Sequence, residues 1–341
     1  MANHARDRFE RTGSQVFVSV VITAYNNERF VAKAIESVLA QTHSDFELIL
    51  VDDGSTDGTL DILRRYETRD ARVRIVSHDN WGMARSANHA IELARSTWIV
   101  RMDADDVMMP NRIERQIAYV SDHPGIALAS SLVHLIDAKG HVRWTTSSDL
   151  IDVDAFQRYR RQGKLMPIFH PAAIVNKAVF QSIGGYRPQF WPADDRDLLI
   201  RFAEQRHLML IQPEPLLKYR VHAESVSSSA TRHQYEMHRW ARQCEERRRH
   251  GALEPSLSEF RRFEQQQPLL RRLNRSRRIW SHVLYRQSTV LYINGRRARA
   301  IAPLCAAIIL TPGLWSGRVK SKLAKIIRRK LRRGLAGSDI G

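Results

Sequence analysis

The chain has 341 residues, 43% of them hydrophobic, which is enough for one large domain with a sizeable core and an appendage. Its two cysteines, Cys244 and Cys305, stand in no metal-ligand spacing and cannot make a disulfide framework, so they ask for no oxidising compartment. The net charge of +18 belongs to the last third: residues 231–341 hold 26 Lys and Arg against 7 Asp and Glu, and residues 1–230 hold 28 against 29.

Residues 1–15 are polar and read as a disordered N-terminus, without the apolar core of a secretory signal. Val16-Phe-Val-Ser-Val-Val-Ile22 is a β-branched run and predicts a buried strand. Val31, Ala34, Ile35, Val38 and Leu39 then recur at helical spacing. Phe46–Val51 predicts a second strand, Leu60–Tyr66 a helix, Val73–Val76 a third strand, Ala84–Ala94 a helix and Trp98–Met102 a fourth strand. Strands alternating with helices of this length predict an α/β fold, a Rossmann-like and mostly parallel sheet with flanking helices. Ligands of such sheets bind at the carboxyl ends of the strands, where Thr23, Asp53 and Asp103 fall. A dinucleotide-dependent dehydrogenase is excluded at the first turn, because residues 23–28 contain no glycine.

The apolar run Ile99–Met102 ends in Asp103, Asp105 and Asp106. On an extended chain Asp103 and Asp105 point to the same side. Two carboxylates held together raise one another's pKa unless a hard divalent cation, Mg²⁺ or Mn²⁺, sits between them. Mg²⁺ is usually held by one or two carboxylates and completed by substrate phosphates, which predicts a nucleoside diphosphate nearby. The plainer alternative is an Asp-rich turn in which Asp106 caps the next helix.

Four motifs in order carry a resemblance: Val18-Ser-Val-Val-Ile-Thr-Ala-Tyr-Asn26, Val51-Asp-Asp-Gly-Ser-Thr-Asp57, Asn80-Trp-Gly82 with Ala87-Asn88, and Arg101-Met-Asp-Ala-Asp-Asp106 with Pro110-Asn-Arg112. Together they resemble family 2 glycosyltransferases of the GT-A fold. The likeness runs on through His170-Pro171, Gly184-Gly-Tyr186, Ala193-Asp-Asp195-Arg-Asp197 and Tyr219-Arg-Val-His222 to about Ser229. It implies a transferase domain over 16–229, with a nucleotide-sugar half near 16–110 and an acceptor half near 111–229. It implies that Asp53 reads the nucleobase against a wall of Thr23, Ala24, Tyr25 and Asn26. Asn80, Gly82, Asn88, Asp103 and Ala104 would line the nucleotide-sugar pocket, and Asp105 would meet the metal-bridged diphosphate. His222 is the candidate nitrogen ligand. Transfer with inversion needs a carboxylate base across the sugar from the diphosphate. The resemblance puts that base on Asp195, with Asp194 orienting, while helix capping is the alternative for all three carboxylates and the one preferred for Asp197.

Two departures bear on the substrate. Many family members carry Arg where this chain has Ala87, so a diphosphate contact is missing or falls to Arg85. Processive synthases carry Gln-x-x-Arg-Trp and membrane spans. Here Arg239-Trp240 has its nearest upstream glutamine at Gln234, two residues too far away, and the longest apolar stretch, residues 300–315, falls short of the ~20 needed to span a bilayer. One sugar per acceptor is expected. Residues 230–341 form a basic helical region. Within it residues 316–335 read either as a cationic amphipathic helix on an anionic membrane or as a solvated helix packed on its own domain. Scattered aromatics argue against nucleic acid. The expectation is a cytoplasmic enzyme, peripheral on the inner face of the cell membrane, that moves one sugar from a nucleoside-diphosphate sugar, UDP-linked by preference, to a glycan or lipid-linked acceptor in cell-surface polysaccharide synthesis. The alternatives are a sugar nucleotidyltransferase and a non-catalytic binder of anionic surfaces.

Overall fold

The computed structural model describes residues 17–313. The N-terminal stretch 1–15 and the whole candidate membrane segment 316–335 lie outside the described residues. The chain forms two compact units. The first takes the chain up to Val221 together with Glu236–Glu254, and the second takes His222–Tyr235 and the chain from Pro255 onward.

The first unit begins with β1 (Val18–Ala24), α1 (Val31–Leu39), β2 (Phe46–Asp53), α2 (Thr59–Glu67), β3 (Val73–His78), α3 (Met83–Leu93) and β4 (Trp98–Asp103). Every residue of β1 and β2 is buried, which is why both read as continuous apolar runs rather than alternating ones. α1 buries Val31, Ala34, Ile35 and Val38 at the i, i+3, i+4, i+7 spacing of a single stripe. α3 buries Ala84, Ala87 and Ala90, whose small side chains let the helix lie close to β1 and β2. Each fully buried Val, Ile or Leu contributes about 1.5–3 kcal/mol, and truncating Ile22 to Ala would cost about 2–5 kcal/mol.

The unit continues with β5 (Val107–Met108), α4 (Arg112–Asp122), β6 (Ile126–Ile136), β7 (Val142–Thr145), α5 (Val153–Arg161), β8 (Ile174–Asn176), α6 (Lys177–Ser182), α7 (Asp194–Glu204) and β9 (Leu208–Arg220). Side-chain caps set two of the helix starts: Asp152 accepts from Ala155 N before α5, and Asn176 from Val179 N before α6. The strands form one mixed sheet in the order β3-β2-β1-β4-β8-β6-β9-β5, with β7 paired to β6. The β3-β2-β1-β4 half is parallel, as is the long β6/β9 pair, and β8 runs antiparallel to both of its neighbours. The α/β, mostly parallel reading holds.

β1, β2 and β4 each run one or two residues past the apolar runs that predicted them. Thr23 pairs with Val51 on one side and Asp103 on the other, Ala24 with Asp52, and Asp53 with His78. Thr23, Asp53 and Asp103 thus stand at the carboxyl ends of their strands, as expected, and are paired into the sheet there.

The second unit contains α8 (Val226–Ser229), α10 (Leu257–Gln266), α11 (Leu269–Ile293) and α12 (Arg297–Leu310). A capping box, Ser256 with Glu259, starts α10, and Ser281 of α11 donates to the Ala307 carbonyl of α12. The helix α9 (Thr231–Arg249) gives its residues from Glu236 on to the first unit, where Met237, Trp240, Ala241 and Cys244 are buried and Trp240 stacks on Phe190.

Candidate active site

The turns after β1 and β2 are laced together by short polar side chains. Asn26, held at φ 52, accepts at Oδ1 from Thr56 N, while its own amide donates to Ser55 Oγ. Asn27 N donates to Thr59 Oγ1, and Glu28 exchanges bonds with Asp57 and Gly58. Asp57 serves this turn and nothing more distant, as expected. Gly54 (φ 73) is obligatory, since a Cβ there would lie 2.6 Å from Asn80 N.

Asp53 is buried at the end of β2. Its Oδ1 accepts from Trp81 N at 2.8 Å and from Ser86 Oγ at 2.8 Å, so it fixes the Asn80-Trp81-Gly82 loop that leads into α3. Trp81 lies flat on His78 with ring centroids 3.8 Å apart and stays half-exposed. Asn88 makes two bonds to the backbone of Tyr186, as donor to its carbonyl and acceptor from its amide.

The acidic group is built by a turn. Residues 104 and 105 leave the extended conformation, with Asp106 N donating to the Asp103 carbonyl, so the alternation expected of Asp103 and Asp105 stops at Asp103. The turn gathers Asp103, Asp105 and Asp106, with a carboxylate oxygen of each within 4.8 Å of the others. Asp106 caps no helix. Its Oδ1 accepts from Arg220 N at 2.8 Å, and its Oδ2 is buried without a hydrogen-bond partner. Arg220 clamps the same turn by donating from Nε to the Asp105 carbonyl, and its Nη1 reaches the carbonyls of Asp137 and Ala138. Burial, Asp105 and Asp103 push the Asp106 carboxyl well above the usual carboxylate range. Three converging carboxylates, one with an orphaned buried oxygen, fit a divalent cation.

Behind this group lies a buried cation. Arg101 pairs with Asp103 at 3.0 Å and donates to Thr23 Oγ1 and the Met102 carbonyl. It also donates to the Tyr186 hydroxyl, whose oxygen lies 2.5 Å from His170 Nε2. Arg offers donors only, so the Tyr186 oxygen accepts from Arg101 and shares a short hydrogen bond with His170 Nε2. Burial, with repulsion from Arg101 and Arg196, holds the His170 imidazole down at about 3. Arg112, fully buried, ties the Arg101 carbonyl to that of Ala173, and burial brings its guanidinium down to about 9.

Asp194 and Asp195 open α7, at its positive end. Desolvation, countered by Arg101 and reinforced by Asp105 and Asp195, raises the Asp103 carboxyl. Burial and then Asp195 push Asp194 up to about 7. Carboxylates of β4 and of α7 therefore share one electrostatic site. Asp197 is a correction: it caps nothing and lies fully buried between Arg187 and Arg201, its Oδ2 2.9 Å from an Nε of each. Gly184 and Gly185 form the expected turn, and a Cβ on Gly185 would meet Asn88 Oδ1 at 2.8 Å.

Thr23, Asp103, Ala104, Asp105, Asp194 and Asp195 thus belong to or border one acidic site. Tyr25, Asn26, Asp53, Asn80 and Gly82 shape the loops over β1 and β2, and His222 belongs to the second unit. Sequence reasoning assigned no role to Arg101, Arg220, Tyr186 or Trp81, although each stands inside a quoted motif.

The sequence model of Glycosyl transferase family 2 matches residues 19–184. The uncharacterised glycosyltransferase MJ1057 of Methanocaldococcus jannaschii is 30% identical over 207 residues, covering 60% of this chain and 70% of that protein. The O-antigen biosynthesis glycosyltransferase WbnJ of Escherichia coli is 28% identical over 220 residues, covering 62% of this chain and 83% of its own. Among solved structures, the mannosyltransferase PcManGT of Pyrobaculum calidifontis, in complex with GDP-Man and Mn²⁺, aligns with a TM-score of 0.54 at 16% identity, over 97% of this chain and 88% of that one. Staphylococcus aureus TarS 1-349 with UDP-GlcNAc aligns at 0.53 and 15% identity, over 89% and 92%. The chain belongs to glycosyltransferase family 2 and has the GT-A fold. It is a glycosyltransferase, which sets aside the nucleotidyltransferase and the non-catalytic binder.

Proposed function

We propose that this enzyme moves a single sugar, with inversion, from a nucleoside-diphosphate sugar to a hydroxyl of a glycan or lipid-linked acceptor in cell-surface polysaccharide synthesis. The observation that carries the reading is that the charges of Asp105 and Asp195 both act on Asp103, beside the three converging carboxylates of residues 103–106, which supports a base close to a metal-bridged diphosphate. WbnJ, a relative named for O-antigen biosynthesis, supports the pathway class.

Asp105, with Asp103 and Asp106 beside it, would hold Mg²⁺ or Mn²⁺, as three converging carboxylates allow. When bound, such an ion neutralises the departing diphosphate. Arg101 pairs with Asp103, opposing the rise of its carboxyl and fixing its position, and Arg220 fixes the turn that carries Asp105. Asp195 takes the acceptor proton as the hydroxyl oxygen bonds to the sugar C1 and the C1–diphosphate bond breaks on the opposite face. Asp194 orients the acceptor or shares that proton. UDP-sugar is the donor we favour, and the GDP-Man complex of PcManGT makes a GDP-sugar the comparison to run beside it.

Attachment to a membrane surface is part of the same reading. Leu269, Leu273 and Trp280 of α11 are exposed by 66%, 56% and 50%. They fall on one stripe, flanked by Arg272 and Arg277 and with Arg271 and Arg278 on the opposite face, the pattern of a cationic interfacial helix. No helix among the described residues is long and apolar enough to cross a membrane.

The test is thermal stability against UDP, GDP, dTDP and CDP with and without Mn²⁺, followed by sugar transfer in Asp105→Asn and Asp195→Asn. The expected result is a Mn²⁺-dependent rise with one nucleotide, lost in Asp105→Asn, and transfer lost in Asp195→Asn with nucleotide binding intact. Unchanged transfer in Asp195→Asn would overturn the assignment of the base.

A further inference from the structure

At the far end of α7 from Asp194, about 15 Å along the helix axis, the first unit holds a second cavity, of about 570 Å³. It lies among the end of α5, the loop 163–166, the C-terminal end of α7 and the part of α9 that belongs to this unit. Seven of its lining residues are Lys or Arg and two are Glu, so its wall carries a clear excess of positive charge.

Both carboxylates are already spent. Glu204 accepts from Arg248, and Glu245 is shared between Arg242 and Arg249, at 2.5 Å each. Two more arginines answer helix-end carbonyls: Arg160 donates to Ala203 O and Arg242 to Gly163 O. Arg201 belongs to Asp197. Lys164 and Arg206 are left over, both exposed, and neither side chain reaches a hydrogen-bond or ion-pair partner among the described residues.

The backbone is shaped to bring these cations together. Gly163 stands at φ +56, and a Cβ on it would be in ordinary contact with Arg249 Nη1 at 3.6 Å and Arg242 Nη2 at 3.8 Å, which places both guanidiniums beside this turn. Arg206 itself is held at φ 63, an uncommon conformation for a residue with a Cβ, which turns the chain at the end of α7. Burial, then Arg206 and Arg249, hold the Arg160 guanidinium below its ordinary value. This is positive charge crowded without enough counter-charge.

We infer that this cavity is a binding site for a phosphoryl anion, a phosphate or diphosphate group seated among Lys164, Arg206 and Arg249. Planar guanidinium forks match phosphoryl oxygens, and the volume is that of a small-ligand pocket. The group could arrive free in solution or on a lipid carrier, and Leu165 and Met166 in the wall would favour the second. The inference does not depend on the donor-site reading, because it uses none of the same residues and no metal.

The test is calorimetric titration of the full chain with inorganic pyrophosphate at low ionic strength in EDTA. Binding is expected in the wild type and unchanged in Asp105→Asn, which separates this cavity from the acidic site. It should weaken at least tenfold in Lys164→Ala with Arg206→Gly, a pair of exposed positions where glycine suits the backbone angle of residue 206. Arg249→Ala provides a second variant that leaves that backbone untouched. Equal affinity in wild type and both variants, or no binding at all, would overturn the site. Geranyl diphosphate supplies the second arm: tenfold tighter binding than pyrophosphate assigns the group to a lipid carrier, and equal binding assigns it to a soluble diphosphate.

Discussion

Asn88 grips the backbone of Tyr186 with both ends of its amide, donating to the carbonyl at 2.8 Å and accepting from the amide at 2.9 Å. This pins the glycine turn, and hence the Tyr186 ring, to α3. Asn88→Ala removes two bonds that are together worth about 1–3 kcal/mol and should lower the melting temperature with a smaller effect on nucleotide affinity. Gly185→Ala, strained at φ +59 and driven against Asn88, should do the same. A variant with unchanged stability and lost nucleotide binding would show that Asn88 serves the ligand directly.

The buried Asp197 gives a second expectation. Its only neighbours of opposite charge among the described contacts are Arg187 and Arg201, and neutralising it leaves the buried Arg201 facing Arg187, which keeps Glu254 as its partner. Asp197→Asn should cost about 3 kcal/mol in urea unfolding, most of it from the buried Arg201 left without its carboxylate. A cost below about 1 kcal/mol would mean that the pair contributes only register.

Stability should depend on pH through His170. In the fold it stays neutral down to about 3, whereas in the unfolded chain it takes a proton below about 6.5. The unfolded state thus binds more protons between those values. Stability from this group is full above about 6.5 and falls with pH through the window, by up to about 1.4 kcal/mol per unit. Urea unfolding at pH 6.5 and pH 5 should show a loss about 2 kcal/mol smaller in His170→Asn than in the wild type. Equal losses would remove His170 from the account.

Arg220 predicts a loss of metal-dependent binding. By clamping Asp105 and Asp106 it acts behind the carboxylates, and such support is commonly worth 10- to 100-fold in metal affinity. Arg220→Ala should weaken Mn²⁺-dependent nucleotide binding by about that factor. Binding of nucleotide without metal should change far less.

Vesicles of anionic lipid test α11. Replacing Leu269, Leu273 and Trp280 with Ser removes three exposed apolar side chains, each worth about 1.5–3 kcal/mol when buried, and should lower vesicle partitioning at least tenfold while leaving transfer to a soluble acceptor unchanged. Undiminished partitioning would move the attachment elsewhere.

The parallel half of the sheet was legible because β1, β2 and β4 are so apolar that period and length leave one reading, and because short turns follow each strand. The acidic site was legible as a composition, Asp103, Asp105 and Asp106, but not as a geometry: alternation along a strand was expected where a turn gathers the side chains. Asp197 looked like a cap because it sits in the first turn of α7. Its true partner, Arg187, lies across a cis-proline segment where no local pattern announces the pairing. Arg220 is farther still, 115 residues from the carbonyl it holds. Each of these is a tertiary contact that falls outside the periodicity of one strand or helix, and residue spacing within an element does not encode it.

The first unit is not contiguous in the chain, and that orders its birth. Phe190 waits for Trp240, Arg187 for Glu254, and Glu204 for Arg248. On the ribosome the transferase body therefore emerges almost whole while part of its interior stays open, and it can close only once residue 254 has cleared the exit tunnel. Until then Phe190 lacks the ring it stacks on, and Arg187 and Glu204 lack Glu254 and Arg248 as partners.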